Sequence, residues 1–217
     1  MAQGKLWGTA MLLASLAPGV VLIACRGIAG NLLASALRLV GSDGEGGVKE
    51  AIICLAATPL LYSTVWTFPG MFCRLCGRAI RPVLAMEGIF MIAKACQLWA
   101  HLVTLDLSSW RLDTPRVCAA LLLGSVGQIL NLSVYKTIGR KGVYYGIRLG
   151  EPVPWVEGWP FNALPHPQYH GSVMSGVALC ALLASPTTSG HYTAIAVSQV
   201  VFYVIMAMVE AHVPALG

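Results

Sequence analysis

Charged residues are scarce in this chain. Asp, Glu, Lys and Arg account for 11% of the 217 residues and hydrophobic residues for 57%, whereas a soluble domain carries about 25% charged residues. This shortage excludes an ordinary soluble domain and indicates an integral membrane protein. The apolar runs also lack the alternation of polar and apolar residues that an outer-membrane β-barrel requires. With so few basic residues, and membrane segments on both sides of them, no nucleic-acid partner is predicted.

The long apolar runs define the predicted fold. Six of them carry few or no charges: 6–25, 51–68, 83–105, 117–135, 172–185 and 192–208. A membrane helix needs about 20 apolar residues, so the short run 172–185 is compatible with a tilted or re-entrant segment or half of a hairpin. The run 6–25 contains Pro18 and is compatible with either a span or an interfacial helix. We predict an all-α, polytopic membrane helix bundle with four to six membrane helices. It forms a single integral membrane domain, 1–217, with N-terminal scaffold helices in 1–82 and a catalytic membrane core in 83–217.

A second ligand pair for a metal ion is also missing. The seven cysteines include one CxxC, formed by Cys73 and Cys76, and zinc needs further ligands. The other five lie in or beside apolar runs, where Cys behaves as a small hydrophobe. We therefore predict neither a disulfide framework nor a metal site.

Basic residues are concentrated in two of the connections between apolar runs, 74–81 and 136–148. The connections 41–50, 106–115 and 186–190 are neutral or acidic by comparison. With six spans, both basic connections lie on the side of the two termini, and the positive-inside rule predicts that this side is cytosolic. The same arrangement predicts that the segment 139–169 and Glu210 lie together on this cytosolic face.

The segment 139–172 is rich in glycine, proline and aromatic residues although it lies between apolar runs. Irregular backbone at membrane depth is tolerated where it is buried in protein or lines a cavity. Gly139, Gly142, Gly146 and Gly150 are spaced by three, four and four residues, which predicts one face of a helix. Such a stripe is compatible with close helix packing or with a wall against a bulky cofactor.

Aromatic residues follow in the same segment. Trp155 and Trp159 lie in a proline-rich loop, where they can anchor the chain at the membrane interface or receive a cation on their ring faces. The loop leads into His166-Pro167-Gln168-Tyr169. Because proline fixes φ and removes a backbone donor, this is a rigid turn. We interpret it either as part of a ligand site or as a helix N-terminus capped by Ser172 or a neighbour.

Two further sets of ionisable residues stand near or inside the apolar runs. Glu210 follows the last run and either faces water or accepts hydrogen bonds from a ligand. Glu87, Lys94 and His101 are seven residues apart and share one face of the third run. Because charge is costly in lipid, this face is predicted to point inward. It is compatible with helix–helix pairing, with a headgroup site or with a proton route.

On these residues the C-terminal part of the chain, about 121–210, resembles the phospholipid N-methyltransferase family. The resemblance rests on the spaced glycines, on GWPFN at 158–162 and on HPQYHGS at 166–172. The GxG signature of the family falls on Ser125-Val126-Gly127, with Ser125 in place of the first glycine. Its Glu-Glu pair falls on Glu210-Ala211, where one carboxylate is kept.

The resemblance implies an S-adenosylmethionine-dependent methyltransferase that methylates phosphatidylethanolamine or its mono- and dimethylated forms, leading to phosphatidylcholine. It implies a phospholipid substrate within the bilayer and residence in the endoplasmic reticulum membrane. The implied catalytic residues are His166 and Tyr169. The implied cofactor-binding residues are Ser125, Gly127, Gly139, Gly142, Gly146 and Glu210, and the implied substrate-binding residues are Trp155, Trp159 and Gln168. Two alternatives stay open: an enzyme like the isoprenylcysteine carboxyl methyltransferases, and a non-catalytic lipid-binding membrane protein.

Overall fold

The computed structural model describes residues 46–78, 80–111 and 113–213. In this part of the chain every regular element is a helix. The helices are α1 (Gly46–Thr67), α2 (Pro69–Cys76), α3 (Pro82–Val103), α4 (Thr114–Val143), α5 (Pro167–Leu183) and α6 (Ser189–His212). The all-α class predicted from the sequence is confirmed.

Each apolar run within the described residues lies mostly in a helix, and the run 6–25 lies outside them. Three helical segments are long and apolar enough to cross a membrane: Pro82–Leu102, Thr114–Val143 and Ser189–His212. Ala51–Thr67 and Pro69–Cys76 meet at 101° and make a fourth if the bent pair is one span. The described residues therefore contain three or four of the four to six membrane helices expected. α5 is shorter, as its apolar run indicated.

Helix starts follow local sequence signals. Proline occupies the first turn of α2, α3, α4 and α5, where its fixed φ suits the helix and its missing N–H needs no partner. Asp113 also caps α4, because its carboxylate accepts a hydrogen bond from the Arg116 backbone N–H at 3.3 Å. His166, rather than Ser172, occupies the N-cap position of α5, and its side chain makes no capping hydrogen bond.

The helices alternate in direction and enclose a mixed apolar and polar interior. α1 packs against α3 and α6, and α5 packs against α4 and α6. Gln97 joins α3 to α1, since its Nε2 donates to Thr58 Oγ1 at 2.8 Å and to the Cys54 carbonyl at 3.1 Å. Tyr192 joins α6 to α3 through its hydroxyl, which donates to the His101 carbonyl at 2.8 Å.

The predicted glycine stripe is wrong, because the helix does not continue through it. Gly139 has φ 63° and ψ −173°, which interrupts α4, and the helix ends at Val143. The following residues form turns, in which the Gly146 N–H donates to the Lys141 carbonyl at 2.6 Å and Gly150 has φ 79°. A stripe requires a continuous helix, whereas here positive φ values at two of the glycines bend the chain back.

Opposite ends of the bundle carry different polar groups. At one end Arg140 pairs with Glu87 at 3.0 Å and Lys141 with Glu151 at 2.7 Å. At the other end the Asp106 carboxylate accepts hydrogen bonds from Ser109 and Thr187. The turns after α4, the start of α5 and the end of α6 meet at the first end. The segment 139–169 and Glu210 therefore lie together, as the sequence predicted.

Candidate active site

Glu210 forms the centre of a polar cluster at the basic end of the bundle. Its Oε1 accepts hydrogen bonds from the hydroxyls of Tyr145 and Tyr169, and these two hydroxyls are 3.0 Å apart. Its Oε2 lies 3.5 Å from His166 Nδ1. We call these four residues the Glu210 cluster. The Glu210 side chain is only 12% exposed, and a carboxylate so buried requires hydrogen-bond donors to offset its lost hydration.

Aromatic rings surround this cluster. The His166 ring stacks on Tyr169 with the centroids 5.4 Å apart and the planes 2° from parallel. Tyr145 packs edge-on against Tyr62, at 4.9 Å between centroids, and against Trp66, at 5.2 Å. The Tyr62 hydroxyl is buried and has no hydrogen-bond partner among the described residues. Buried polar atoms without a partner are rare in folded proteins, and a bound ligand is one of the groups that would supply the missing partner.

Arg148 adds a positive charge above the aromatic layer. Its guanidinium lies 3.7 Å from the centroid of the Trp66 ring. The Trp66 indole N–H in turn donates to the Val213 carbonyl at 2.8 Å, so the residue after α6 is fixed to α1. This contact holds the end of α6, and with it Glu210, against the aromatic layer.

The backbone is unusual at two members of the cluster. Tyr145 has φ 57° and His166 has φ 48°, and they are the two non-glycine residues with positive φ in the described part of the chain. The left-handed conformation costs such residues about 1–2 kcal/mol. Backbone strain of this kind concentrates at functional sites, where the surrounding structure maintains it. Here it directs both side chains towards Glu210.

The cluster changes the protonation behaviour of its members outside the apolar helices. The hydrogen bond to Glu210 raises the pKa of His166, although partial burial opposes the rise. Burial raises the pKa of Tyr145 well above its ordinary range, and Tyr169 and Glu210 raise it further. Tyr145 is therefore a hydrogen-bond donor throughout the physiological range, whereas His166 can take up or release a proton.

The glycines expected to bind a cofactor have different surroundings from one another. A Cβ at Gly127 would lie 2.6 Å from Ser175 Oγ and 2.7 Å from the Gly171 carbonyl oxygen, so this glycine allows α4 and α5 to approach closely. Cβ atoms at Gly142 and Gly146 would lie 2.5 Å from the Ile138 side chain and 2.6 Å from the Lys141 carbonyl oxygen. At Gly139 a Cβ would meet nothing within 4 Å. Ser125 is exposed on α4.

The residues expected to bind substrate are also separated. Trp155 is 87% exposed and Trp159 53% exposed, and the Trp159 indole N–H donates to Ser133 Oγ at 3.1 Å. Gln168 lines a central cavity of about 520 Å³ between the helices. The structure therefore brings together His166, Tyr169 and Glu210 from the predicted set, places Gln168 at the cavity and leaves both tryptophans on the surface.

Sequence reasoning missed Tyr145, Tyr62, Trp66 and Arg148. Tyr145 lies inside the glycine-rich segment, where the glycine spacing predicts a continuous helix that would not bring it to Glu210. Arg148 has no sequence feature that sets it apart from the other basic residues of this connection. Tyr62 and Trp66 belong to an apolar helix in which nothing marks them apart from their aromatic character, so their contacts become visible only in the fold.

The fold and the cluster define a class: a helical integral membrane protein with a buried carboxylate site at one end of its bundle. Residues 115–214 match the model of the phospholipid methyltransferase family. A phosphatidyl-N-methylethanolamine N-methyltransferase of Arabidopsis thaliana is 37% identical over 132 residues, which cover 61% of this chain and 77% of the relative. No solved structure matches the chain. The chain belongs to the phospholipid methyltransferase family, and it is a membrane methyltransferase. Neither alternative left open by the sequence gains support from these matches.

Proposed function

We propose that this protein transfers a methyl group from S-adenosylmethionine to the amine nitrogen of phosphatidylethanolamine or its methylated forms. The family supports a phospholipid acceptor, and the Arabidopsis relative is named for the monomethylated lipid. The observation that carries the proposal is the Glu210 cluster. It combines a held carboxylate, a histidine and aromatic faces at the end of a membrane bundle.

The Glu210 cluster fits the chemistry of the methyl donor. S-adenosylmethionine has ribose hydroxyls and an amino group that donate hydrogen bonds, and a sulfonium centre that supplies an electrophilic methyl group when it is bound. Glu210 Oε1 is occupied by two tyrosine hydroxyls, whereas Oε2 has His166 at 3.5 Å as its partner within the described residues. Oε2 can therefore accept a hydrogen bond from a ligand hydroxyl or amine. The unpartnered Tyr62 hydroxyl belongs to a ring that packs on Tyr145 and adds a further polar group to this region.

The acceptor amine has to lose a proton before it can attack. An alkylammonium group such as that of Lys has a pKa of about 10.4, so most of it is protonated near neutral pH. An ionised carboxylate can only accept hydrogen bonds, so His166 Nδ1 carries the proton that faces Glu210. In the neutral imidazole Nε2 is then unprotonated and can accept a proton. We assign His166 as the group that takes the proton. The Tyr169 hydroxyl donates a hydrogen bond to Glu210 and therefore serves to hold the carboxylate.

The remaining predicted residues contribute to orientation. Methyl transfer is an in-line displacement, and holding the reacting groups in line supplies about 7–11 kcal/mol of the barrier. We propose that Gln168, which lines the cavity beside Tyr169, orients the lipid headgroup. Trp155 and Trp159 are on the surface and are suited to the lipid interface. The backbone at Gly139 borders open space, whereas Gly142 and Gly146 allow the tight turn that leads to Tyr145, so these glycines support the donor site by shaping the chain.

We further propose that the protein resides in the endoplasmic reticulum membrane with its basic end in the cytosol. The support is the resemblance of the chain and the concentration of Arg140, Lys141 and Arg148 at the end that carries the Glu210 cluster, as the positive-inside rule requires. A cysteine introduced at Trp155 should react with a membrane-impermeant maleimide only when the cytosolic face of sealed microsomes is accessible. Labelling from the lumen would contradict this orientation.

A transfer assay tests the proposed reaction. Purified protein in nanodiscs is given S-adenosylmethionine with a labelled methyl group and phosphatidylethanolamine, its monomethyl form or its dimethyl form. Label is expected in the nitrogen-methylated lipid, and the preferred acceptor identifies the step. Absence of label in all three lipids would contradict the proposal.

The variant Glu210→Gln tests in the same assay whether Glu210 binds the methyl donor. We expect KM for S-adenosylmethionine to rise by about tenfold or more, because a hydrogen bond to a charged group contributes about 1.5–3 kcal/mol. Tyr192→Phe is the matched control, since it removes a buried hydroxyl that bonds to His101 at 2.8 Å, remote from the cluster. Equal KM values in the two variants would remove Glu210 from the donor site.

A further inference from the structure

The central cavity opens sideways between α3 and α4. α3 packs on α1 and α4 packs on α5, and no extensive contact joins α3 to α4 in the described part of the chain. Leu98 of α3 and Tyr135 of α4 both line the cavity and are both exposed, so they mark its mouth. The inner wall includes residues of α5 and α6, among them Ser172 and Gln199. A hydrophobic chain in the bilayer can therefore reach the interior without passing through water.

Lys94 brings a positive charge into this cavity. It lies in the apolar helix α3, and its Nζ donates to Gln97 Oε1 at 3.0 Å and contacts the Tyr203 hydroxyl at 3.4 Å. Among the described residues Lys94 has no carboxylate at ion-pair distance. Glu87, the acidic residue of the same helix, pairs with Arg140 instead. An ammonium within a membrane helix is costly unless it is paired. Gln97 is itself held by α1 and fixes the ammonium facing the cavity.

Two side chains that line the cavity carry acceptor atoms without donors. Gln199 is 4% exposed and lines the cavity. Its Nε2 donates to the Ser172 carbonyl at 3.0 Å, whereas its Oε1 has no partner in the described structure. The buried Oδ1 of Asn131, another lining residue, is also without one. A buried polar atom left unsatisfied costs about 1–3 kcal/mol, and a hydrogen-bond donor at either oxygen would remove this cost.

The cavity is connected to the Glu210 cluster through two aromatic side chains. Lys94 Nζ contacts the Tyr203 hydroxyl, and the Tyr203 ring lies 5.5 Å from the Tyr169 ring between centroids. Tyr169 donates to Glu210. Tyr203 and Tyr169 therefore link the Lys94 region of the cavity to the Glu210 cluster.

We propose that the cavity is the acceptor-lipid site, in which Lys94 binds the phosphodiester of the phospholipid while its acyl chains leave between α3 and α4. The inference rests on the proposed function, because it names the site from which the amine reaches the Glu210 cluster. Lys94 supplies the charge that recognises the phosphate, and the headgroup amine is left free to reach the Glu210 cluster. Lys94 therefore determines specificity for phosphate-bearing lipids and takes no part in methyl transfer.

A binding experiment tests this inference without methyl transfer. The purified full chain in detergent is titrated with dihexanoylphosphatidylethanolamine by calorimetry, with dihexanoylglycerol and inorganic phosphate as the comparison ligands. The phospholipid is expected to bind roughly tenfold to hundredfold more tightly than the diacylglycerol, because a hydrogen bond to a charged group is lost with the phosphate. Inorganic phosphate lacks the chains and is expected to bind much more weakly than the phospholipid. Equal affinity for phospholipid and diacylglycerol, or for phospholipid and inorganic phosphate, would overturn the inference.

Variants at Lys94 complete the test. Lys94→Met is expected to lose the preference for phospholipid over diacylglycerol, and Lys94→Arg to keep it. Lys136→Met is the matched control, because Lys136 is exposed on α4 and outside the cavity lining. Circular dichroism and thermal unfolding check that each variant is folded. An unchanged preference in Lys94→Met, or an equal loss in Lys136→Met, contradicts the role of Lys94. If the wild-type protein binds the phospholipid selectively but transfers no label, the result supports the lipid site and contradicts the proposed reaction.

Discussion

At the scale of single residues, the Glu210 carboxylate determines the hydrogen bonds and the protonation of its neighbours. It fixes two tyrosine hydroxyls as donors and lies against His166 Nδ1. Glu210 thereby orients the imidazole and raises its pKa. A histidine paired in this way is a stronger base than an isolated one, but more of it is protonated near neutral pH. The rate of amine methylation should therefore depend on pH through this residue.

We expect the rate at saturating donor to rise with pH through the raised pKa of His166, because only the neutral imidazole can take the proton. Glu210→Gln removes the cause of the rise, so the midpoint of the pH profile should move down towards the ordinary histidine value of about 6.5. Initial rates of lipid methylation between pH 5 and 9 measure this. A midpoint that is the same in both proteins would show that another group accepts the proton.

The same pair affects stability with a definite sign. Because the folded pKa of His166 is raised, its contribution is fully present below the unfolded value and is lost as pH rises through the folded value. The contact between His166 and Glu210 therefore stabilises the folded protein at acid pH, where His166 is protonated. The proposed catalysis needs neutral His166, so stability and activity have opposite pH dependences at this residue.

At the scale of elements, the interruption of α4 is what forms the cluster. Gly139, with φ 63° and ψ −173°, occupies a region of backbone space essentially reserved for glycine. The turns that follow bring Tyr145 back over α1 and α6. A straight continuation of α4 would carry Tyr145 away from Glu210. The interruption is therefore a condition for the site.

Substitution at the glycines of α4 tests this view. Gly139→Ala should destabilise the fold by about 1–3 kcal/mol through backbone strain alone, because its Cβ would meet nothing within 4 Å. Gly124→Ala is the control: it is helical, and its Cβ would lie 3.4 Å from Ala178 Cβ, so we expect no loss or a gain of up to about 1 kcal/mol. Thermal unfolding in detergent measures both. Equal unfolding temperatures would show that Gly139 needs no special backbone.

The long helices could be predicted from the sequence, and their interruptions could not. The apolar runs located five of the six helices of the described region, because a membrane segment has to satisfy its backbone internally, whereas α2 lies in a stretch predicted as a connection. The spacing of Gly139, Gly142, Gly146 and Gly150 is compatible with a helix, and only the φ values reveal turns. The sequence singles out His166, Tyr169 and Glu210 because charged and polar groups stand out beside apolar runs, and their roles stay predictions. Tyr62 and Trp66 of α1 lie in the region predicted as scaffold, and they pack directly on Tyr145.

At the scale of the whole molecule, the bundle is closed by polar contacts at both ends. The end remote from the cluster is held through Asp106, which accepts hydrogen bonds from Ser108 and Ser109 at 2.6 Å each and from Thr187 at 2.7 Å. These contacts tie the loop after α3 to the loop after α5. The hydrogen bonds lower the pKa of Asp106, so its contribution to stability is present above the unfolded pKa and is lost as pH falls.

We expect Asp106→Asn to lower the unfolding temperature at neutral pH. We also expect the unfolding temperature of the variant to fall less on acidification than that of the wild type, because an amide does not titrate. Asp113→Asn is the control, since Asn caps helices as well as Asp does and Asp113 accepts a single backbone hydrogen bond in the structure. Unfolding curves between pH 3 and 7 make the comparison. If the two variants respond to acid alike, Asp106 does not hold this end.

The proposed entry of the lipid between α3 and α4 determines whether the reaction rate depends on the substrate concentration in the bilayer or in water. A substrate that enters from the bilayer is never dissolved in water, so its supply is set by its mole fraction among the neighbouring lipids. Adding inert lipid at constant total substrate should then slow the reaction through surface dilution, and enlarging the aqueous volume should not. In a membrane the protein would respond to bilayer composition, and each methylation would change the composition to which it responds.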